Sequence, residues 1–353
     1  MTKTLAAALL CGCAMIGGVA IATAQGVPAD SRHDPLQRAA LQAPRAAHGV
    51  MLAVAVAGQR MVAAGERGIV LWSDDGARQW HQAQVPVSVT LTALSFPSPQ
   101  QGWAVGHGGA VLHSTDGGKR WKLQLDGRAA AQIELNAARA SDDARRIALA
   151  RQLVSDGPDK PLLGVHFWNE RRGFVIGAYG LIFGTEDGGA TWSSWAGRVD
   201  NPRGLHLNAL YAGPSAVFLV GEQGLVLRST DDARSFHRLT TPYNGSWFAV
   251  TGRDDVVLIG GLRGHVSRST DGGDSWTAAR VPMPVSIGAA SATRSSFIII
   301  NQAGALMTSD DGSEWRPMLR PTGPPLTALA VAPEGDLLVA SFAGAMRLSN
   351  SGS

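Results

Sequence analysis

The sequence predicts an all-β fold: a seven-bladed β-propeller with Asp-box repeats and a helical insertion between blades two and three. Three observations carry that reading. A Ser/Thr-x-Asp-Gly type of turn recurs about every 40 residues, and a Gly-x-x-Gly hairpin stands in register upstream of each turn. One interval is lengthened by an alanine-rich stretch with helical patterning. A period near 40 is the length of a four-stranded propeller blade. The 353 residues include 43 glycines and 18 prolines, which suit short strands and tight turns better than long helices.

The turns are anchored at Ser73, Ser114, Thr185, Ser229, Ser269, Ser309 and Ser349, with separations of 41, 71, 44, 40, 40 and 40 residues. Six copies keep the aspartate and an aromatic residue: Asp75 and Trp80, Asp116 and Trp121, Asp187 and Trp192, Asp231 and Phe236, Asp271 and Trp276, Asp311 and Trp315. The seventh, Ser349–Ser353, has lost its aspartate. A carboxylate in such a turn accepts N–H groups of its own loop, and the following glycine supplies positive φ. The aromatic residue opens the outer strand and wedges between sheets. One carboxylate per turn is too few for a calcium loop, which needs six to eight oxygens. These residues are therefore structural, and no metal or cofactor is expected.

Five residues before each anchor stands a glycine: Gly68, Gly109, Gly180, Gly224, Gly264, Gly304 and Gly344. Eight before it stand Gly65, Gly106, Gly177, Gly221, Gly261, Asn301 and Ser341. Each pair lies between β-rich runs, as Val217–Val220 and Leu225–Leu227 flank Gly221 and Gly224, so it reads as a hairpin. No helix follows, which argues against a phosphate loop. Each blade then runs inner strand, second strand, Gly-x-x-Gly hairpin, third strand, Asp box, outer strand. Blade seven runs out after its third strand. Asp34–Arg45 is the expected source of its fourth strand, the alternative being a three-stranded blade.

The 71-residue interval carries the insertion, at about residues 126–160. Arg128–Arg139 is alanine-rich, and Ser141 with Asp142 and Asp143 predicts a second helix start. Gly157-Pro158 stops it. A helical hairpin is expected, either a lid packed on the propeller face or a docking arm.

The N-terminus reads as a secretory leader: Lys3, an uncharged apolar run Leu5–Ile21, and a small-residue cleavage site Ala22-Thr23-Ala24. Residues 1–24 are the expected signal peptide, 25–48 an N-terminal segment and 49–353 the propeller. A lipidated Cys13 and an uncleaved anchor are the competing readings. All three export the body of the protein, to the periplasm of a Gram-negative type of envelope. Both cysteines, Cys11 and Cys13, lie in the leader, which leaves the body without a disulfide or thiolate metal site. A formal net charge of +3 does not supply the clustered charge that nucleic acid requires.

Asp boxes in seven-fold register, Gly-x-x-Gly hairpins and the fragment Gly102–Gly109 resemble the photosystem II stability/assembly factor family, over roughly residues 48–353. The nearest likeness is to its bacterial branch, which also has the insertion between blades two and three. The resemblance implies a lumenal or periplasmic, non-catalytic propeller that helps membrane-protein subunits assemble. It also implies a protein partner and a peripheral association with the membrane. An accessory subunit of an envelope transporter is the neighbouring alternative.

Propeller geometry puts the Asp boxes on one face and the Gly-x-x-Gly and blade-to-blade loops on the other, around the central channel. The expected binding residues on that channel face are Glu66, Arg67, His107, Tyr179, Arg203, Glu222, Tyr243, Arg263 and Gln302. Their mix of Arg, His, Tyr, Glu and Gln suits a peptide or small polar ligand, or else ordinary solvated loops. A sialidase-like glycosidase would need an arginine triad, for which Arg67, Arg203 and Arg263 are the available residues. It would also need Tyr179 or Tyr243 activated by Glu222. With three tyrosines in all and no Arg-Ile-Pro signature, no enzyme is expected.

Overall fold

The computed structural model of the chain describes residues 34–318 and 323–349. The leader, its cleavage site, Cys13 and residues 350–353 of the seventh box lie outside the described residues. Seven antiparallel meander sheets stand in chain order, six with four strands and the last with three. The inner strands are Met51–Ala57, Leu91–Ser95, Leu162–Phe167, Leu207–Ala212, Trp247–Arg253, Ile287–Ala292 and Leu326–Val331. Each is followed outward by a second strand such as Val217–Gly221 or Phe297–Asn301, in which every residue is buried. Those continuous apolar runs follow from burial on both faces, because each sheet packs between two others.

The core therefore lies between blades. Val62, Leu91, Leu112 and Trp121 join blades one and two, Phe174, Leu219 and Phe236 join three and four, and Leu338 and Met61 join seven and one. A register shift after the first residue of the inner strand recurs in six blades, as between Leu91 and Ala93. Such bulges re-aim the extra side chain. Thr92 Oγ1 donates to Leu162 O at 2.7 Å and Asn208 Nδ2 to Trp247 O at 2.8 Å. Thr327 Oγ1 to Met51 O, at 2.6 Å, repeats that bond between the last blade and the first and closes the ring.

The Asp boxes stitch the third strand to the outer one. In blade two the buried Ser114 hydroxyl donates to Asp116 Oδ1 (3.0 Å) and accepts from Gly118 N–H (2.9 Å). The same carboxylate oxygen accepts from the N–H groups of Lys119 (3.0 Å) and Arg120 (2.9 Å). Blades one and four hold the same turn with Ala77 at φ 66° and Ala233 at φ 59°, where other boxes have glycine. The Thr191 hydroxyl, helped by the Thr191 N–H and the Thr185 hydroxyl, lowers the Asp187 carboxyl to about 2. Ser235 and Ser275 hydroxyls likewise hold Asp231 and Asp271 well below the usual carboxylate range.

Residues 34–45 do not form the fourth strand of blade seven. Among the described residues that sheet is Leu326–Val331, Leu337–Ser341 and Gly344–Leu348. The segment instead straps across blades one and two. Ala40 N–H bonds Val85 O (3.0 Å), Ser88 N–H bonds Pro35 O (2.8 Å), and Leu36 and Ala40 are buried in the cluster shared by those blades. Its composition explains the outcome: Pro35 and Pro44 lack N–H groups, and the residues between them have no period-two alternation.

The insertion is a helical hairpin, α1 (Gly127–Ser141) and α2 (Ala144–Asp156). The second cap is Asp143, not Ser141. Asp143 accepts the Arg146 N–H, whereas Ser141 ends α1 and donates its hydroxyl back to Ala138 O. The hairpin packs as a lid. Ala130 of α1 is buried in the cluster of blades two and three, joined by Ile133 of α1 and Leu153 of α2. Arg146 forms a bidentate pair with the buried Glu134 (2.8 and 3.1 Å), and Glu134 also accepts the Ser194 hydroxyl of blade three. Arg128 of α1 reaches Asp34 of the strap at 2.7 Å. Among the described residues, no helix is long and apolar enough to cross a membrane.

Candidate binding face around the channel

Each Gly-x-x-Gly hairpin is pinned to the loop that enters its own blade. The first variable residue donates its N–H to the residue preceding the inner strand: Glu66 to Val50, His107 to Thr90, Ala178 to Pro161, Glu222 to His206, Leu262 to Ser246, Gln302 to Ser286 and Phe342 to Pro325. The leading glycine makes room for that approach. A Cβ on Gly65 would stand 1.9 Å from Val50 O, and one on Gly106 2.2 Å from Thr90 O. In five blades the second variable residue is left-handed, with Arg67 at φ 54°, Tyr179 at 58°, Gln223 at 52° and Arg263 at 56°, and glycine at 108. Holding a non-glycine residue there costs about 1 kcal/mol each, and all four of these side chains are exposed.

Blades three to five bring several of these residues together. Tyr179 meets His206 with ring centroids 4.9 Å apart, and Lys160 Nζ lies 4.9 Å from the Tyr179 ring centre. Lys160 follows the helical hairpin and is held by Asp156 (3.0 Å) and Asp159 (2.7 Å). Glu222 Oε2 accepts the His206 N–H at 2.9 Å, and its Oε1 lies 3.6 Å from His206 Nδ1. One blade on, Tyr243 stacks on His265 at 3.9 Å, with 13° between the planes. Its hydroxyl donates to Leu262 O (3.4 Å), beside the exposed Arg263.

Other expected site residues have separate places. Glu66 accepts the Val50 N–H at 3.5 Å, the same bracing position as Glu222. Arg67 and His107 are exposed on blades one and two, where strap and hairpin border the face, and Gln302 is exposed on blade six. Arg203 is exposed on the connection that leads into blade four. Sequence reasoning missed Lys160 and His265. The one local signal for His265 is its place directly after Gly264; Lys160 has none, because the fold of the hairpin delivers it.

Three large apolar side chains stand exposed on this face: Tyr179 (59%), Phe342 (52%) and Leu262 (37%). On the opposite face, a cleft of about 640 Å³ lies between the first hairpins of blades five to seven. It is lined by Arg253, Asp254, Arg294 and Glu334, so its charges balance. Among the described residues, no group of three His, Cys, Asp or Glu side chains is placed to hold a metal ion.

The family model of photosynthesis system II assembly factor YCF48 matches residues 72–154 and 146–353, nearly the whole propeller and its helical insertion. The chain belongs to the YCF48 family. Among solved structures, YCF48 bound to D1 peptide is similar at TM-score 0.64 and 16% identity, over 88% of this chain and 95% of that one. YCF48 from Cyanidioschyzon merolae is similar at TM-score 0.63 and 14% identity, over 88% and 98%. Virginiamycin B lyase from Staphylococcus aureus is also similar, at TM-score 0.64 and 11% identity, over 88% and 97%. At such identities the likeness shows the propeller alone, a scaffold that carries both binders and enzymes. No curated protein matches the chain in sequence.

Proposed function

We propose that this YCF48-family propeller is an exported, non-catalytic scaffold that binds a protein partner on its channel face. In that role it assists assembly or stability of a membrane-protein complex of the envelope. The observation that carries the reading is the paired cluster Tyr179–His206 and Tyr243–His265, flanked by exposed Leu262 and Arg263. Exposed aromatic side chains beside arginine are the usual anchors of protein interfaces. The similar YCF48 structure bound to D1 peptide supports a peptide segment of the partner as the ligand. The leader supports export to the periplasm.

The polar partners in the cluster support a binding role over chemistry. The Tyr243 hydroxyl is engaged by the Leu262 carbonyl and Glu222 by the His206 backbone, so neither tyrosine has a carboxylate poised to activate it. Crosslinking of the tagged full chain in its native envelope tests the proposal. The triple variant Tyr179→Ala, Tyr243→Ala, Arg263→Glu should lose capture of the partner by at least about tenfold, at about 2 kcal/mol per anchor. Undiminished capture would move the docking surface elsewhere, and hydrolysis of a glycoside by the pure protein would overturn the non-catalytic reading.

A further inference from the structure

The open edge of blade seven is the one place where the repeat is incomplete. In the other six blades the third strand is covered by a short outer strand: His81–Gln82, Lys122–Leu125, Ser193–Ser194, His237–Leu239, Thr277–Ala278 and Arg316–Pro317. In blade seven, Gly344–Leu348 pairs only with Leu337–Ser341 among the described residues. An antiparallel strand paired on one side leaves alternate N–H and C=O groups pointing outward.

The strap passes this edge without filling it. A Cβ on Gly344 would stand 2.2 Å from Ala47 O, as one on Gly68 would stand 2.1 Å from Val87 O, so residue 47 occupies the repeat position of residue 87. By that register, residues 41–43 fall where the outer strand belongs. They are tied to blade one instead: Ala43 N–H donates to Gln82 Oε1, Gln42 Nε2 to Ala83 O and Gln82 Nε2 to Leu41 O, all at 2.9 Å. Met346 and Leu348 are left half-buried against Leu337, Val339 and Met318. The Arg347 guanidinium is folded onto Glu334 (2.8 Å) and Asp336 (2.6 Å).

We propose that blade seven takes an extended segment of the protein partner as its fourth strand. Strand addition to an exposed edge is an established mode of peptide recognition, and the sibling blades define the occupant. It is two to four residues long and antiparallel to Gly344–Leu348, with an apolar side chain over Met346 and Leu348 and a polar outward face, like Lys122–Leu125. At three blade junctions the outer strand or the turn after it also accepts the next blade's box N–H: Gln84 O from Trp121 (3.0 Å), Arg198 O from Phe236 (2.7 Å) and Arg280 O from Trp315 (3.2 Å). Trp80 stands in that place beside blade seven.

The proposal rests on the reading of the chain as a binder of a protein partner. A photocrosslinking residue at position 348 of the full chain, in its native envelope, tests it. The expected product joins position 348 to a short segment of a second protein, and that segment, synthesised as a peptide, slows amide exchange at Ala345–Leu348 at least about tenfold. The same peptide with a central proline leaves exchange unchanged. A crosslink to residues 1–33 of this chain, a crosslink to a second copy, no crosslink, or no slowing by the peptide each overturns it. If the channel-face variant still loses its partner in that case, the proposed function stands and only the strand addition fails.

Discussion

Replacing His166 with phenylalanine should remove a defined part of the protein's sensitivity to mild acid. His166 lies on the inner strand of blade three, against Trp168 (5.0 Å, edge-on) and Phe174, with Nε2 buried and unpartnered among the described residues. Burial lowers its pKa from 6.5 to about 4. A histidine depressed on folding contributes stability that is present above its unfolded pKa and lost as pH falls through the folded one. The window here is pH 6.5 down to about 4. Linkage puts the loss between pH 7.5 and pH 4.5 at about 2.5 kcal/mol, or about 5 °C in Tm for a domain of this size. Phenylalanine keeps the aromatic packing and cannot take up a proton. The assay is thermal unfolding of both proteins at pH 7.5 and pH 4.5. The wild type should fall about 5 °C further than His166→Phe, and parallel falls would refute burial of a neutral imidazole at this site.

The Asp-box carboxylates act in a lower window, because a depressed Asp187 stabilises above about 3.8 and loses that contribution as pH falls through about 2. Thr191→Ala should move the Asp187 titration upward by NMR; an unmoved titration would remove the hydroxyl as its main cause. Arg146→Ala strands the buried Glu134 and should cost about 3 kcal/mol. That loss should be read as faster amide exchange across residues 127–156 with the propeller strands unchanged; protection equal to wild type would show that apolar packing alone holds the lid. Gly106→Ala forces a Cβ to within 2.2 Å of Thr90 O and should destabilise by about 2–3 kcal/mol in urea unfolding, whereas a change under about 0.5 kcal/mol would mean that the inner strand yields freely.

The blade count and the turn chemistry were legible because their causes are local. Asp116 bonds its own loop, so the motif and the geometry occupy the same few residues. The cap of α2 was misplaced by two residues for a similar reason: Ser141, Asp142 and Asp143 are all good caps, and α1 claimed the first of them. The binding face was legible as a set of loops but not as pairs. Tyr179 with His206, Tyr243 with His265, and Lys160 over Tyr179 depend on which loop lies beside which, and residue type alone carries no sign of that.

The amino-acid sequence by itself determined the ring, since a 40-residue repeat that cannot bury its own faces must stack until the circle closes. Only the tertiary structure decided what the irregular segments do. The strap leaves the edge of blade seven because blades one and two offer Leu36 and Ala40 a buried seat, and blade seven has no comparable one. Leu36 fits that seat because Gly108, 72 residues away in sequence, has no Cβ to oppose it. A contact between such distant positions has a large energetic consequence and no local signature, and the open edge follows from it.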